Sequence, residues 1–303
     1  MPGPARASGV VARSWRLPSP ACATTGSGSR LRSLARQDAR PVAATLRELP
    51  ALPRYGQWAT FLRNHDEVDL GRLTDQERQE VFAVFAPEAD MQLYGRGIRR
   101  RLAPMLGGDR RSIELAYSLQ LTMPGTSVVR YGEEIGMGDN LDLPEREAIR
   151  TPMQWDGVPG AGFSHADPAQ FVAPLVTAGP YAYQKVDVTN QRLDANSLLT
   201  WFERTLHARR ECEEIGSGDH EVIEAGPDHV MVHRAAGRTG STLFIHNLAG
   251  RPCRLNLATL RDPEQSPLNF VADSDYGNDA DMDDLHVAGY GYRWIRLRRT
   301  IGA

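Results

Sequence analysis

Lysine is almost missing from this 303-residue chain: 34 of its 35 basic residues are arginine, and the one lysine is Lys185. A Walker-type phosphate loop, a lysine Schiff base and pyridoxal chemistry therefore find almost no residue to use. Cysteine is nearly as scarce. Cys22, Cys212 and Cys253 are odd in number, widely spaced and never in a C-x-x-C pair, so neither a disulfide framework nor a zinc ribbon is supported. A reducing, cytoplasmic setting is the simplest one. No stretch approaches the roughly 18 consecutive apolar residues of a membrane span. Net charge is low too, with 35 basic against 38 acidic residues giving −3, too balanced for a dedicated nucleic-acid binder or a polyanion. What remains is a chain with 41% apolar residues, long enough for one large domain or two ordinary ones.

Residues 1–33 carry five arginines, no acid and many Pro, Gly, Ser and Ala, a composition expected to stay unstructured. It resembles an organellar transit peptide or a misassigned start, and lacks the apolar run of a secretory signal. From Leu34 the character changes, and Leu34, Val42, Leu46 and Leu49 predict a short helical stripe interrupted by Pro41. Trp58 to Leu62 reads as a buried strand running into the polar tip Arg63 to Glu67. Thr74 with Glu77 opens a capped helix that continues to Pro87. Asp109 caps another through Ile113, Leu115, Ala116, Leu119 and Leu121, closed by Pro124 and Gly125. Ser127 to Tyr131 is a second strand with the polar tip Gly132-Glu133-Glu134. Strand, helices and strand with polar tips at the same ends are the local pattern of a β/α barrel.

Residues 136–196 are long and irregular, a length that in a compact domain points to function. Leu198 to Glu214 returns to helix, with Leu198, Leu199, Phe202, Leu206 and Arg210 at helical spacing. A domain boundary is placed at Gly216 and Gly218. Beyond it, 220–223, 229–233, 242–246, 254–257 and 290–297 read as short strands of period two, predicting an antiparallel β-sandwich over 216–303.

Asn64-His65-Asp66 is the sharpest chemical cluster, because a carboxylate and an imidazole at the C-terminal end of a barrel strand face the mouth where barrel enzymes place catalytic groups. The arginines 96, 99, 100, 101, 110 and 111 lack interleaved aromatics and read as a paired or solvated surface rather than a nucleic-acid footprint. The acidic run Asp273 to Asp284 copies calcium-loop spacing but has Asn278 where glycine is needed and Asp at its twelfth position, so a solvated loop is the reading. His229 and His233 on a strand stand roughly 13 Å apart, too far to share a metal.

Six ordered segments carry a family resemblance: Phe61 to Glu67 with Asp69 to Thr74, Met91 to Leu102, Met105 to Asp109, Tyr131 to Asp139, Arg146 to Trp155, and Gly289 to Trp294. Together they resemble glycoside hydrolase family 13, the α-amylase family, and within it the maltose α-D-glucosyltransferase (trehalose synthase) branch. The resemblance implies the C-terminal fragment of a (β/α)8 TIM barrel, its last two strands and their helices, over 34–215, followed by the β-sandwich. It implies that Asp66 is the transition-state-stabilising carboxylate, with His65, Asn64, Arg146 and Arg150 as substrate-binding neighbours. Maltose, trehalose or related α-glucosides are the implied substrates, with no cofactor and no metal.

The family's nucleophilic Asp lies in a Gly-Phe-Arg-x-Asp stretch, and no such stretch occurs here; a counterpart of the acid/base Glu is missing too. Retaining transfer needs two carboxylates flanking the bond, so the chain is expected to be inactive alone. Glu133 and Glu134 remain as substitute carboxylates, although their family counterparts look like structural support. A separate chain carrying the missing strands is one implied partner. The alternatives are a non-catalytic carbohydrate-associated remnant and a fragment of an α-glucosidase or α-amylase type hydrolase. Barrel strands without their partners are expected to leave open edges.

Overall fold

The structure is a computed structural model, which describes residues 21–50, 56–238, 240–262 and 265–299. Two helices come first, α1 (Ala21–Arg36) and α2 (Arg40–Arg47). Then β1 (Ala59–Thr60), β2 (Val68–Asp69), α3 (Asp75–Phe85), β3 (Gln92–Leu93), β4 (Gly97–Ile98), α4 (Leu102–Met105), α5 (Arg110–Leu121) and β5 (Thr126–Ser127) follow. A largely irregular stretch leads to α6 (Val188–Leu193), α7 (Leu198–Arg210) and α8 (Glu213–Ser217). The last part is all strand: β6 (Asp219–Ile223), β7 (Val230–Ala236), β8 (Ser241–Asn247), β9 (Cys253–Leu255), β10 (Gln265–Ala272), β11 (Leu285–Val287) and β12 (Tyr292–Arg299).

β1 and β5 pair in parallel, Ala59 with Thr126 and Thr60 with Ser127. Both are shorter than the sequence predicts, because a side chain replaces the ladder at their tips. Gln120 of α5, fully buried, accepts from Leu62 N at 3.3 Å and donates to Thr60 O at 3.3 Å and Val128 O at 3.0 Å. A three-stranded antiparallel sheet, β2-β4-β3, was not foreseen in the sequence and flanks the tip of β1. On the other edge of β1, the Phe61 carbonyl accepts from Ser27 Oγ at 2.7 Å and Arg30 Nη2 at 2.8 Å, both on α1.

That contact corrects the reading of residues 1–33. Helix α1 begins at Ala21, and Leu31 is fully buried. Two of its polar residues are partnered from other elements: Arg32 meets Glu77 at 2.5 Å and Glu80 at 3.3 Å on α3, and Ser33 Oγ accepts from Val42 N. Residues 1–20 lie outside the described residues. Pro41 does not interrupt a helix either; it sits in the first turn of α2, where a missing N–H loses nothing.

The caps formed as expected. Thr74 and Glu77 exchange the two hydrogen bonds of a capping box at α3, and Asp109 accepts from Ser112 N at α5. Helix α5 is buried on nearly every side, as a helix wedged between two layers must be. Strands β1 and β5 lie on one side of it and β8 on the other.

In the terminal region two antiparallel sheets of unequal size pack face to face. One five-stranded antiparallel sheet, in the order β10-β12-β8-β7-β6, packs one face on the pair β9-β11 through Val232, Ile245, Leu255, Leu285 and Ile295. Its other face, with Met231, Phe244 and Trp294, shares a continuous core with α5 and α7. The boundary near Gly216 is therefore a turn between packed layers, not a gap between independent cores. Strand β10 was missed in the sequence because Pro267 interrupts its pattern; it is an edge strand, where proline is tolerated. No helix among the described residues is long and apolar enough to cross a membrane.

Candidate active site

The segment after β1 turns sharply at Asn64, whose Oδ1 accepts from Asp66 N at 2.9 Å and whose carbonyl accepts from Arg130 Nη1 at 3.2 Å. Asn64 thus builds the turn that presents the next two residues. His65 is exposed and Asp66 half-exposed, with His65 Nε2 lying 3.5 Å from Asp66 Oδ2. The other oxygen, Oδ1, is clamped by two arginines from the irregular stretch: Arg146 Nη1 at 3.3 Å and Arg150 Nη2 at 3.2 Å. Arg150 also donates from Nε to the His65 carbonyl at 2.9 Å and from Nη1 to Glu147 at 3.1 Å. All five residues marked in the sequence therefore meet at one strand tip, although about 80 positions separate the two groups.

The consequence for Asp66 is an asymmetric carboxylate. Oδ1 is held by two charge-assisted contacts, while Oδ2 faces His65 and solvent, available to the hydroxyls of a ligand.

Residues not marked in the sequence hold this clamp in place. Glu67 is buried and accepts from Arg146 Nε at 2.6 Å. Burial disfavours its charge, but the hydrogen bond and positive charge of Arg146 outweigh it and hold the carboxyl below its usual range. It fits only because Gly97 lies against it: a Cβ there would come within 2.5 Å of Glu67 Cγ. The Tyr94 ring stacks under the Arg146 guanidinium at 5.7 Å, and its hydroxyl donates to Glu145.

Beneath the tip, arginines serve as internal braces. Arg63, 2% exposed, donates to the Asp66 carbonyl at 2.7 Å, and burial pulls its guanidinium down to about 10, still charged near neutrality. Arg101, with no exposed surface, contacts Tyr131 O at 3.0 Å and Glu133 Oε1 at 3.2 Å. Glu133 also accepts from Leu102 N at 3.3 Å and Tyr117 Oη at 2.8 Å. Among the described residues these contacts of Glu133 are all internal, which is a pillar's arrangement and not a nucleophile's. Burial raises Glu134 above the usual carboxylate range. The arginine run splits accordingly: Arg99 and Arg101 are internal, with Arg99 Nη2 holding the carbonyls of Leu141 and Leu143, each at 2.6 Å. The expectation of a paired or solvated surface is corrected for these two only in their placement: they are partnered, but inside the fold.

The acidic run from Asp273 closes turns, with Asp273 Oδ1 accepting from Tyr292 N and Asp275 from Gly277 N. Among the described residues, no group of three or more His, Cys, Asp or Glu is placed to hold a metal.

Comparison with known proteins gives this geometry a context. Residues 97–218 match the family model for the α-amylase catalytic domain. The trehalose synthase of Pimelobacter sp. (strain R48) is 35% identical over 267 residues, covering 86% of this chain and 46% of that protein. The trehalose synthase of Thermus thermophilus is 40% identical over 218 residues, covering 72% of this chain and 22% of its own. The chain spans less than half the length of each. Among solved structures, the α-amylase from H. orenii superposes with a TM-score of 0.63 at 21% identity, over 90% of this chain and 48% of that one. Trehalulose synthase MutB from Pseudomonas mesoacidophila MX-45 gives 0.59 at 18%, over 88% and 47%.

Proposed function

We propose, for a chain that belongs to the α-amylase family (glycoside hydrolase family 13), that the tip of β1 is the glucosyl-binding part of a maltose–trehalose transglycosidase site. In this reading residues 34–215 are the last two strands and helices of a (β/α)8 barrel, and 216–303 its terminal β domain. The observation that carries it is the state of Asp66: one oxygen clamped by Arg146 and Arg150, the other open beside His65. A carboxylate fixed in this way accepts hydrogen bonds from sugar hydroxyls without reorganising, which favours a ring flattening toward an oxocarbenium ion. His65 donates beside it. Arg146 and Arg150 have the dual task of holding Asp66 and edging the sugar.

Transfer itself needs a nucleophile and an acid/base about 5 Å apart across the bond. Asp66 is one carboxylate, and Glu133 is occupied by Arg101, Leu102 and Tyr117. The chain alone therefore binds α-glucosides without turning them over, and a companion segment supplies the transferring groups. The non-catalytic reading and the hydrolase reading share this same binding step and part company only over what completes the site.

The test is a titration of the purified chain with maltose and with trehalose, followed by saturation-transfer NMR, beside a time course for product. We expect saturable binding that Asp66→Asn removes, and no turnover. Binding unaffected by Asp66→Asn would refute the site. Turnover beyond one product per chain would refute the division of labour.

A further inference from the structure

Strands β6, β7 and β8 each place one histidine on the sheet face that packs against the helices: His220, His233 and His246. The rings stand in a row, with centroids 6.5 Å apart from His220 to His233 and 5.8 Å apart from His233 to His246. His233 and His246 have no exposed surface, and His220 is half-buried. Neither ring nitrogen of His233 has a partner among the described residues, and Nδ1 of the other two has none. His220 Nε2 meets the Ile215 carbonyl of α8 at 3.0 Å. His246 Nε2 lies 3.0 Å from Ser118 Oγ on α5, which itself accepts from Trp294 Nε1 at 2.9 Å. With Trp294 donating to that oxygen, the Ser118 proton is free to point at His246 Nε2 and keep it unprotonated.

Burial outweighs the groups that favour a positive charge, the Ile215 carbonyl and Asp219 at His220 and Ser118 at His246. Phe244 lies edge-on to His233 at 4.9 Å, and Tyr292 stacks on His246 at 6.5 Å. From α5, Glu114 is engaged by Arg110 and Tyr292. From α8, Glu214 is taken by Thr242 Oγ1 at 2.6 Å and faces Arg296 of β12 at 3.7 Å, beside the Cys212 thiol. Arg209 of α7 and Asp219 of β6 act on His220 with opposite signs. Burial pulls all three imidazoles below the ordinary histidine range, His246 to about 3, and the neighbouring rings lower His233 further.

We propose that these three histidines form an acid-released latch between the β sheet and helices α5, α7 and α8, one that opens this interface in mildly acid solution while the strand ladders stay paired. The sign follows from the burial. A histidine held neutral when packed and free to protonate when exposed stabilises the packed form fully above about pH 6.5, and that stability fades as pH falls below it. Each pH unit below that point favours the open form up to about tenfold per histidine, so two fully buried rings give up to about 1,000-fold by pH 5. The opposite face of the sheet packs on β9 and β11 through an apolar cluster; the Cys253 thiol beside it is pushed up by burial and the buried Arg293 stays a cation, so neither takes up a proton as pH falls. The sheet therefore keeps its far side when the near side lets go.

Amide hydrogen exchange on the full chain at pH 7.5 and pH 5.0, corrected for intrinsic rates, decides the matter. Exchange in α5 and α7 should accelerate at least ~100-fold at pH 5.0, while amides paired between β7 and β8 stay protected. His246→Gln keeps an acceptor for Ser118 and cannot charge; it should lower the opening pH, and so should His233→Leu. If neither variant folds, the wild-type exchange pattern decides by itself. Helices that stay protected to pH 4.5 would overturn the latch. So would helices and sheet that lose protection together, or variants that open at the wild-type pH.

Discussion

Around Asp66 the backbone offers two-residue strands and tight turns, and side chains fix the geometry; in the five-stranded sheet the strands run five to eight residues and side chains fill the space between layers. In the first region the fixed points are guanidinium groups, among them Arg63, Arg101, Arg146 and Arg150. In the second they are rings, with Trp294, Phe244 and Tyr292 wholly enclosed. A region that must present an open carboxylate has to leave its own hydrogen-bonding groups unpaired by ladders. Charged braces then supply the order that ladders supply elsewhere. The difference predicts which losses unfold the protein and which only blunt its site.

The largest loss belongs to the ring-held region. Trp294→Ala removes a fully buried indole in T-shaped contact with Phe244 and frees Ser118, and should destabilise the chain by about 4 kcal/mol in urea titration. Glu133→Gln tests the charge-held region at its most buried point. It strips Arg101 of its carboxylate, and the expected loss is about 3 kcal/mol, read as a lower urea midpoint. A much smaller effect would mean that the arginine braces are ornamental and that apolar packing holds both regions.

Gly97→Ala asks whether the brace for Arg146 needs its cradle. The added methyl displaces Glu67, with an expected loss of about 2 kcal/mol together with weakened sugar binding. Thr74→Ala removes one arm of the capping box on α3 and should lose about 1 kcal/mol with sugar binding intact. Asp66→Asn ends the series. Its carboxylate is more than a third exposed, so melting temperature should stay within about 2 °C of wild type while glucoside binding disappears. Equal losses of stability at Asp66 and Glu133 would erase the distinction between presenting and supporting carboxylates.

Capped helices were legible in the sequence because their signals are local: Thr74 with Glu77, and Asp109 three positions before Ser112, carry their own geometry. The five site residues were legible through their segments. Their supports were not. Glu67 and Arg146 lie 79 positions apart, and no period connects them; only the turn at Asn64 and the gap at Gly97 bring them together. Strands β10 and β11 escaped notice because one carries an edge proline and the other is three residues long. The part of α1 before Leu34 reads as unstructured in the sequence, since its arginines and serines look alike whether they face water or Glu77, Glu80 and a strand carbonyl.

The last of those contacts has a consequence for how copies of the chain meet. The free edge of β1 ends at the Phe61 carbonyl, and Ser27 and Arg30 occupy it from α1. A second molecule cannot add a strand there by collision alone, since α1 must first leave and expose Leu31. Growth of assemblies from this edge is then governed by the rate at which one helix detaches, so turbidity should follow a lag that shortens steeply with temperature and only weakly with protein concentration.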